Sequence, residues 1–105
     1  MTKKAAQSIL SKRLKENRMK IDLIDQKLLG LLNQRLRIAL EIGKVKKEMG
    51  DRIYDPRREK EILERLRLRL RNKGPLREED MKEIFKTIMK VCRGGQKVVN
   101  SEVPL

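Results

Sequence analysis

IDLIDQKLLGLLNQRLRIALEIGKVKKEM, residues 21–49, carries the architecture of this chain. Within it Ile21, Ile24, Leu28, Leu31, Arg35, Ile38, Ile42, Val45 and Met49 follow one another in alternating steps of three and four. That spacing puts them on one side of a helix, as the seam of an amphipathic or coiled-coil-like element. Only Arg35 breaks its apolar character.

Working outward, a helix from about Ser8 to Met49 at 1.5 Å per residue would be roughly 60 Å long, far more than the width of a compact domain of this size. Gly and Pro punctuate the chain at Gly50 to Pro56 and at Gly74-Pro75, which leaves two shorter segments after the long one. The second helix is expected to open at Asp55-Pro56, since Asp caps well and Pro suits the first turn. Its apolar row is Leu63, Leu66 and Leu70. The alternation from Leu66 to Arg71 also fits a strand, but the surrounding helix formers and the lack of a second strand candidate favour helix. The third helix begins near Leu76 to Asp80 with an acidic first turn, matched to the positive end of the helix dipole. Met81, Phe85, Ile88, Cys92 and Gln96 form its row. The expected fold is all-α, three helices per chain with one very long first helix. Two short helices can cover only part of the seam, so a second copy packed along it is the natural remedy.

Lys and Arg number 28 against 15 Asp and Glu, a net charge of +13. Such a field favours anionic partners and leaves nucleic acid, membrane surfaces and small anions open. With no His, no Trp and Cys92 as the one thiol, Ser/His triads and His/Cys metal sites cannot be assembled from this chain. No apolar run of signal-peptide length follows the N-terminus, and none approaches the roughly 18 to 20 residues of a membrane span. The expectation is a soluble, cytoplasmic protein, and a lone Cys agrees with a reducing compartment.

Arg35 and Lys46 lie eleven residues apart, about three helical turns, so both project to nearly the same side. Across roughly 16 Å, two long side chains leaning inward could bracket a small dianion. The plain alternative is a solvated Lys46 and an Arg35 that snorkels out of an interface. Gln96 stands on an apolar row, where a buried amide needs a hydrogen-bond partner; fraying after Gly94-Gly95 would instead leave it in water. Arg58 and Glu59, in the first turns of the second helix, read singly as surface charges. Basic clusters from Lys12 to Lys20 and from Arg65 to Lys73 could neutralise phosphates. Only Tyr54 and Phe85 are available for stacking, however, and no helix-turn-helix spacing or RNA-binding motif is evident.

Taken together, the residues resemble a known family. Arg18-x-x-Ile21-Asp22-x-Ile24-Asp25-x-x-Leu28-Leu29-x-Leu31-Leu32-x-x-Arg35 is similar to the first-helix signature of the all-helical chorismate mutases. The likeness continues through Ile42-Gly43-x-Val45-Lys46, Tyr54-Asp55-Pro56-Arg57-Arg58-Glu59 and Cys92-x-x-x-Gln96, over roughly residues 15–97. It implies an intertwined helical homodimer of three-helix chains and a domain over 15–97; a basic N-terminal extension over 1–14, read as helical, and a tail over 98–105 that is a candidate for disorder lie outside the family pattern. It also implies rearrangement of chorismate to prephenate, a step of phenylalanine and tyrosine biosynthesis, without metal or cofactor. By the same resemblance Arg35, with Arg18 from the partner chain, would bind the two substrate carboxylates. Lys46 would contact a carboxylate and the ether oxygen, and Gln96 would donate to that oxygen. Asp55 would act through its backbone, Arg58 would support the carboxylates, and Glu59 would accept the ring hydroxyl. Cys92 stands where the family commonly has a small hydroxyl residue, so a hydrogen bond from it would be weaker. Helix arithmetic agrees with a shared site: Arg18 lies about 25 Å along the axis from Arg35, too far for one helix to bring both to one ligand.

A Claisen rearrangement suits these residue types. It is intramolecular and needs no nucleophile; the site must hold a reactive conformer. Bidentate arginines hold carboxylates, and donors aimed at the ether oxygen act where negative charge grows. A neutral Gln96 implies activity that needs no acidic donor. The nearest rival is an isochorismate-pyruvate lyase with a similar dicarboxylate pocket. Another is a basic helical nucleic-acid-binding protein.

Overall fold

The computed structural model describes residues 2–71 and 74–101. Among these are three helices and no strand: α1 Lys3–Met49, α2 Pro56–Leu70 and α3 Glu78–Ser101. None is long and apolar enough to cross a membrane. The chain divides into two units, Met1–Gln34 and Arg35–Leu105.

The first unit consists of the N-terminal part of α1. The helix starts earlier than its apolar seam suggests, because Thr2 caps it: the Thr2 hydroxyl accepts from the Ala5 amide at 3.1 Å. Ile21, Ile24, Leu28 and Leu31 are all exposed in this unit.

The second unit is a bundle of the C-terminal part of α1 with α2 and α3. α1 ends at Gly50, whose φ of 73° only glycine adopts cheaply. The Asp51 amide donates to the Lys46 carbonyl at 2.8 Å and the Gly50 amide to the Lys47 carbonyl at 3.2 Å, a Schellman ending that satisfies two orphan carbonyls. As expected, Asp55 and Pro56 open α2, with Asp55 Oδ1 accepting from the Arg58 amide at 3.0 Å. α3 opens on Glu78, Glu79 and Asp80.

Partner numbers give the directions. Arg35 bonds Cys92, Gln96 bonds Ala39 and Asn100 bonds Gly43, each pair separated by 57 residues. A constant offset means that α3 runs parallel to this part of α1, in steps of one turn. Arg67 meets Glu78 and Glu59 meets Arg93, so α2 runs antiparallel to α3. The core between them is small: Ala39, Met81, Met89 and Cys92 are its buried apolar members.

The short helices cover only part of the seam, as expected: Arg35 is half-buried, Ile38, Ile42, Val45 and Met49 stay exposed, and α3 docks beside them on Leu36, Ala39, Leu40 and Gly43. Two expectations need correction. Gly94-Gly95 do not interrupt α3, which runs unbroken to Ser101. Two glycines cost a helix about 1 kcal/mol each, but a Cβ at Gly95 would stand 3.1 Å from Leu36 Cδ1, so its absence lets α3 close on α1. Val98, Val99 and Asn100 consequently lie in α3 and not in a disordered tail, while residues 102–105 are outside the described part.

Candidate active site

A cavity of about 270 Å³ opens among the three helices of the second unit, and every element contributes charge to its wall. From α1 come Arg35 and Lys46, with Ile38, Ala39 and Ile42 as an apolar floor. The α1–α2 connection adds Ile53 and Asp55, α2 adds Arg58 and Glu59, and α3 adds Cys92, Arg93 and Gln96.

Each side chain is held by a specific contact. The Arg35 guanidinium, half-buried, donates to Cys92 Sγ at 3.0 Å, so the thiol is an acceptor that aims the arginine. Lys46 donates to the Ile53 carbonyl at 2.8 Å, which ties it to the loop following the Schellman turn and leaves two of its three N–H groups for a ligand. It is half-buried, not a solvated surface lysine. Gln96 is buried, and its Nε2 donates to the Ala39 carbonyl at 2.7 Å. This contact answers the need of a buried amide for a partner. It depends on Gly43, where a Cβ would stand only 2.9 Å from Gln96 Cγ. Arg58 is exposed at the mouth, 3.6 Å from Glu61, and Asp55 spends its carboxylate on capping α2.

Seven of the residues singled out in the sequence, Arg35, Lys46, Asp55, Arg58, Glu59, Cys92 and Gln96, therefore line one cavity. Arg18 belongs to the first unit, where it borders an exposed groove with Leu14, Lys15 and Asp22. Sequence reasoning missed Arg93. It ion-pairs with Glu59, and its Cζ lies 4.9 Å from the centre of the Tyr54 ring, a cation–π distance. The signal was its position, one residue past Cys92 and three before Gln96, which turns it toward the same cavity; taken singly, an arginine reads as one more surface cation.

Four cations against two carboxylates, around an apolar floor and beside a buried amide, make an all-helical binding site for a small, multiply anionic organic molecule. The comparisons agree with that class. Residues 17–97 match the family model described as "Chorismate mutase type II", and the chain belongs to that family. The chorismate mutase of Helicobacter pylori, solved in complex with prephenate, superposes with a TM-score of 0.79 at 36% identity, over 87% of this chain and 97% of that one. The Form II structure of the chorismate mutase of Thermus thermophilus gives 0.74 at 34% identity, over 81% and 94%. In sequence the chain is 37% identical to the bifunctional chorismate mutase/prephenate dehydratase of Aquifex aeolicus, over 82% of its own length but only 24% of that protein's. It thus spans about a quarter of that relative's length. It is also 44% identical to the chorismate mutase of Methanocaldococcus jannaschii over 52% of this chain and 56% of that one.

Proposed function

We propose that the chain catalyses the rearrangement of chorismate to prephenate, as a homodimer in the cytoplasm with the domain spanning residues 15–97. The observation that carries this reading is the single cavity that gathers Arg35, Lys46, Glu59 and Gln96. The chemistry asks for no more than these groups can do. Arg35, aimed by Cys92, takes one carboxylate of the substrate dianion, and Arg58 at the mouth adds to the field that holds it. The second carboxylate calls for another guanidinium, which Arg18 of a second copy supplies. Holding both carboxylates selects the folded conformer in which the carbons to be joined lie close together.

In the rearrangement a C–O bond breaks as a C–C bond forms, and the ether oxygen gains negative charge on the way. Lys46 brings its two remaining N–H groups to that oxygen and to a carboxylate. The Gln96 amide nitrogen spends one hydrogen on Ala39 and has a second for the ether oxygen. Both donors are fixed before reaction, so they stabilise the transition state more than the ground state. Glu59 faces two anionic carboxylates on the ligand with a charge of like sign, and its use is to accept the ring hydroxyl.

The support for a homodimer is the row of exposed apolar side chains on α1, Ile21 to Met49, which a second α1 would bury. The test is chorismate turnover by the purified protein with product identification. Prephenate is expected. Pyruvate release from isochorismate without prephenate would mark a lyase. No turnover of either compound, with salt-sensitive binding to duplex or RNA, would mark a nucleic-acid-binding protein.

A further inference from the structure

We propose that Arg93 is a positioning residue of this site: it clamps Glu59 so that one carboxylate oxygen faces the hydroxyl of the substrate. The inference rests on the mutase reading and adds a residue to it.

Glu59 is an anion in a cavity shaped for anions, and a loose glutamate there would swing onto the nearest ligand cation, Arg35 or Arg58, and neutralise it. Arg93 prevents this. One guanidinium nitrogen bonds Glu59 Oε2, and Cζ of the group lies over the Tyr54 ring, 4.9 Å from its centre. The guanidinium is therefore held between a carboxylate on α2 and an aromatic ring in the α1–α2 connection, while its own stem rises from α3. Both charged side chains are largely withdrawn from water, Arg93 at 25% and Glu59 at 21% exposure, so solvent screens their pairing only partly. This is the most withdrawn ion pair among the described residues; the others lie on helix surfaces and join neighbours one turn apart or α2 to α3 at the rim.

With Oε2 engaged, Oε1 has no protein hydrogen bond among the described residues. A carboxylate oxygen so placed accepts one hydrogen bond from a neutral donor, and chorismate offers one such donor, its ring hydroxyl.

The experiment compares chorismate with an analogue lacking the ring hydroxyl, using the parent protein, Arg93→Met, Arg93→Lys, Glu59→Gln and the double variant Arg93→Met/Glu59→Gln. Arg93→Met is expected to lower kcat/KM for chorismate by about 10- to 100-fold, the scale of a misplaced catalytic contact. Against the analogue it should differ from the parent by no more than about threefold, and the double variant should be no worse than Glu59→Gln alone. Arg93→Lys keeps the charge without the planar fork and should fall between, so it carries the test if Arg93→Met does not fold. Equal losses with both substrates, or losses that multiply in the double variant, would overturn the proposal and leave a purely structural tie between α2 and α3. A parent that does not convert chorismate at all would remove the mutase reading first.

Discussion

Gln96 shows how much one side chain can depend on its backbone neighbours. Its amide is oriented by the Ala39 carbonyl and admitted by the missing Cβ of Gly43. Because the donor is neutral, the parent protein should keep its rate across neutral and mildly alkaline pH. Gln96→Glu introduces a dependence: a protonated carboxyl can donate to the ether oxygen, whereas the carboxylate repels it, so activity should return only as pH falls. A pH–rate profile of the variant that is flat would remove Gln96 from the ether oxygen. Lys46→Ala should lower kcat by on the order of 10²- to 10³-fold, the usual loss for one donor to a developing oxyanion. Stopped-assay kinetics would check this, and a change confined to KM would assign Lys46 to binding alone. Gln96 could be singled out in the sequence because a polar group on an apolar row stands out, and Lys46 by its eleven-residue spacing from Arg35. Arg93 was missed, since its position beside Cys92 hints at the cavity but only the packing of α3 on α2 shows that it faces Glu59 and Tyr54.

At the level of the helices, the register between α1 and α3 sets the site. Three contacts at a constant offset of 57 residues lock the two helices, and Gly43 lies at the closest approach. Gly43→Ala would push the Cβ into Gln96 Cγ. The expected result is a loss of about 1–3 kcal/mol in denaturant unfolding, as for overpacking elsewhere, together with reduced kcat. Unchanged stability and activity would mean that the register is not set there. On α2 a different effect operates. The bond from Arg67 holds the Glu64 carboxyl below the ordinary glutamate range, with the Arg67 charge and that of Lys82 adding to it. A depressed carboxyl favours the fold above its unfolded pKa, and that contribution disappears as pH falls through the folded value. Carbon NMR titration should place Glu64 below a normal glutamate in the parent and return it toward normal in Arg67→Met. Helix limits were legible in advance wherever a cap residue marks them, as at Asp55-Pro56 and Gly50. At Gly94-Gly95 intrinsic propensity left fraying open, and contact with Leu36 keeps the helix unbroken.

For the molecule as a whole, the exposed row from Ile21 to Met49 predicts a particle of two chains. Sedimentation should give twice the mass of one chain. Leu28→Glu with Leu31→Glu should yield monomers that lack activity, since like charges on a former apolar seam oppose pairing. Arg18→Ala and Arg35→Ala should each be inactive alone, but a mixture refolded together should regain part of the activity, because one of the two sites in a mixed dimer is intact. No recovery would argue against a shared site. The net charge of +13 adds a further expectation: kcat/KM for a dianionic substrate should decline as salt rises from about 10 to 150 mM, as the Debye length shrinks from about 30 to 8 Å.

The all-helical class, the division into one long and two short helices, the cap at Asp55 and the polar Arg35 and Gln96 on apolar rows follow from local properties, whereas Lys46, Arg58, Glu59 and Cys92 joined the site through the family resemblance. The local properties survive in a linear reading because each depends on residues a few positions apart. Which face of α1 receives α3, the pairing of Arg93 with Glu59, and the role of Cys92 as acceptor to Arg35 depend on contacts between residues 34 and 57 positions apart. Such contacts are decided by how closely backbones can approach and which charges meet once water is displaced, and no local pattern encodes either.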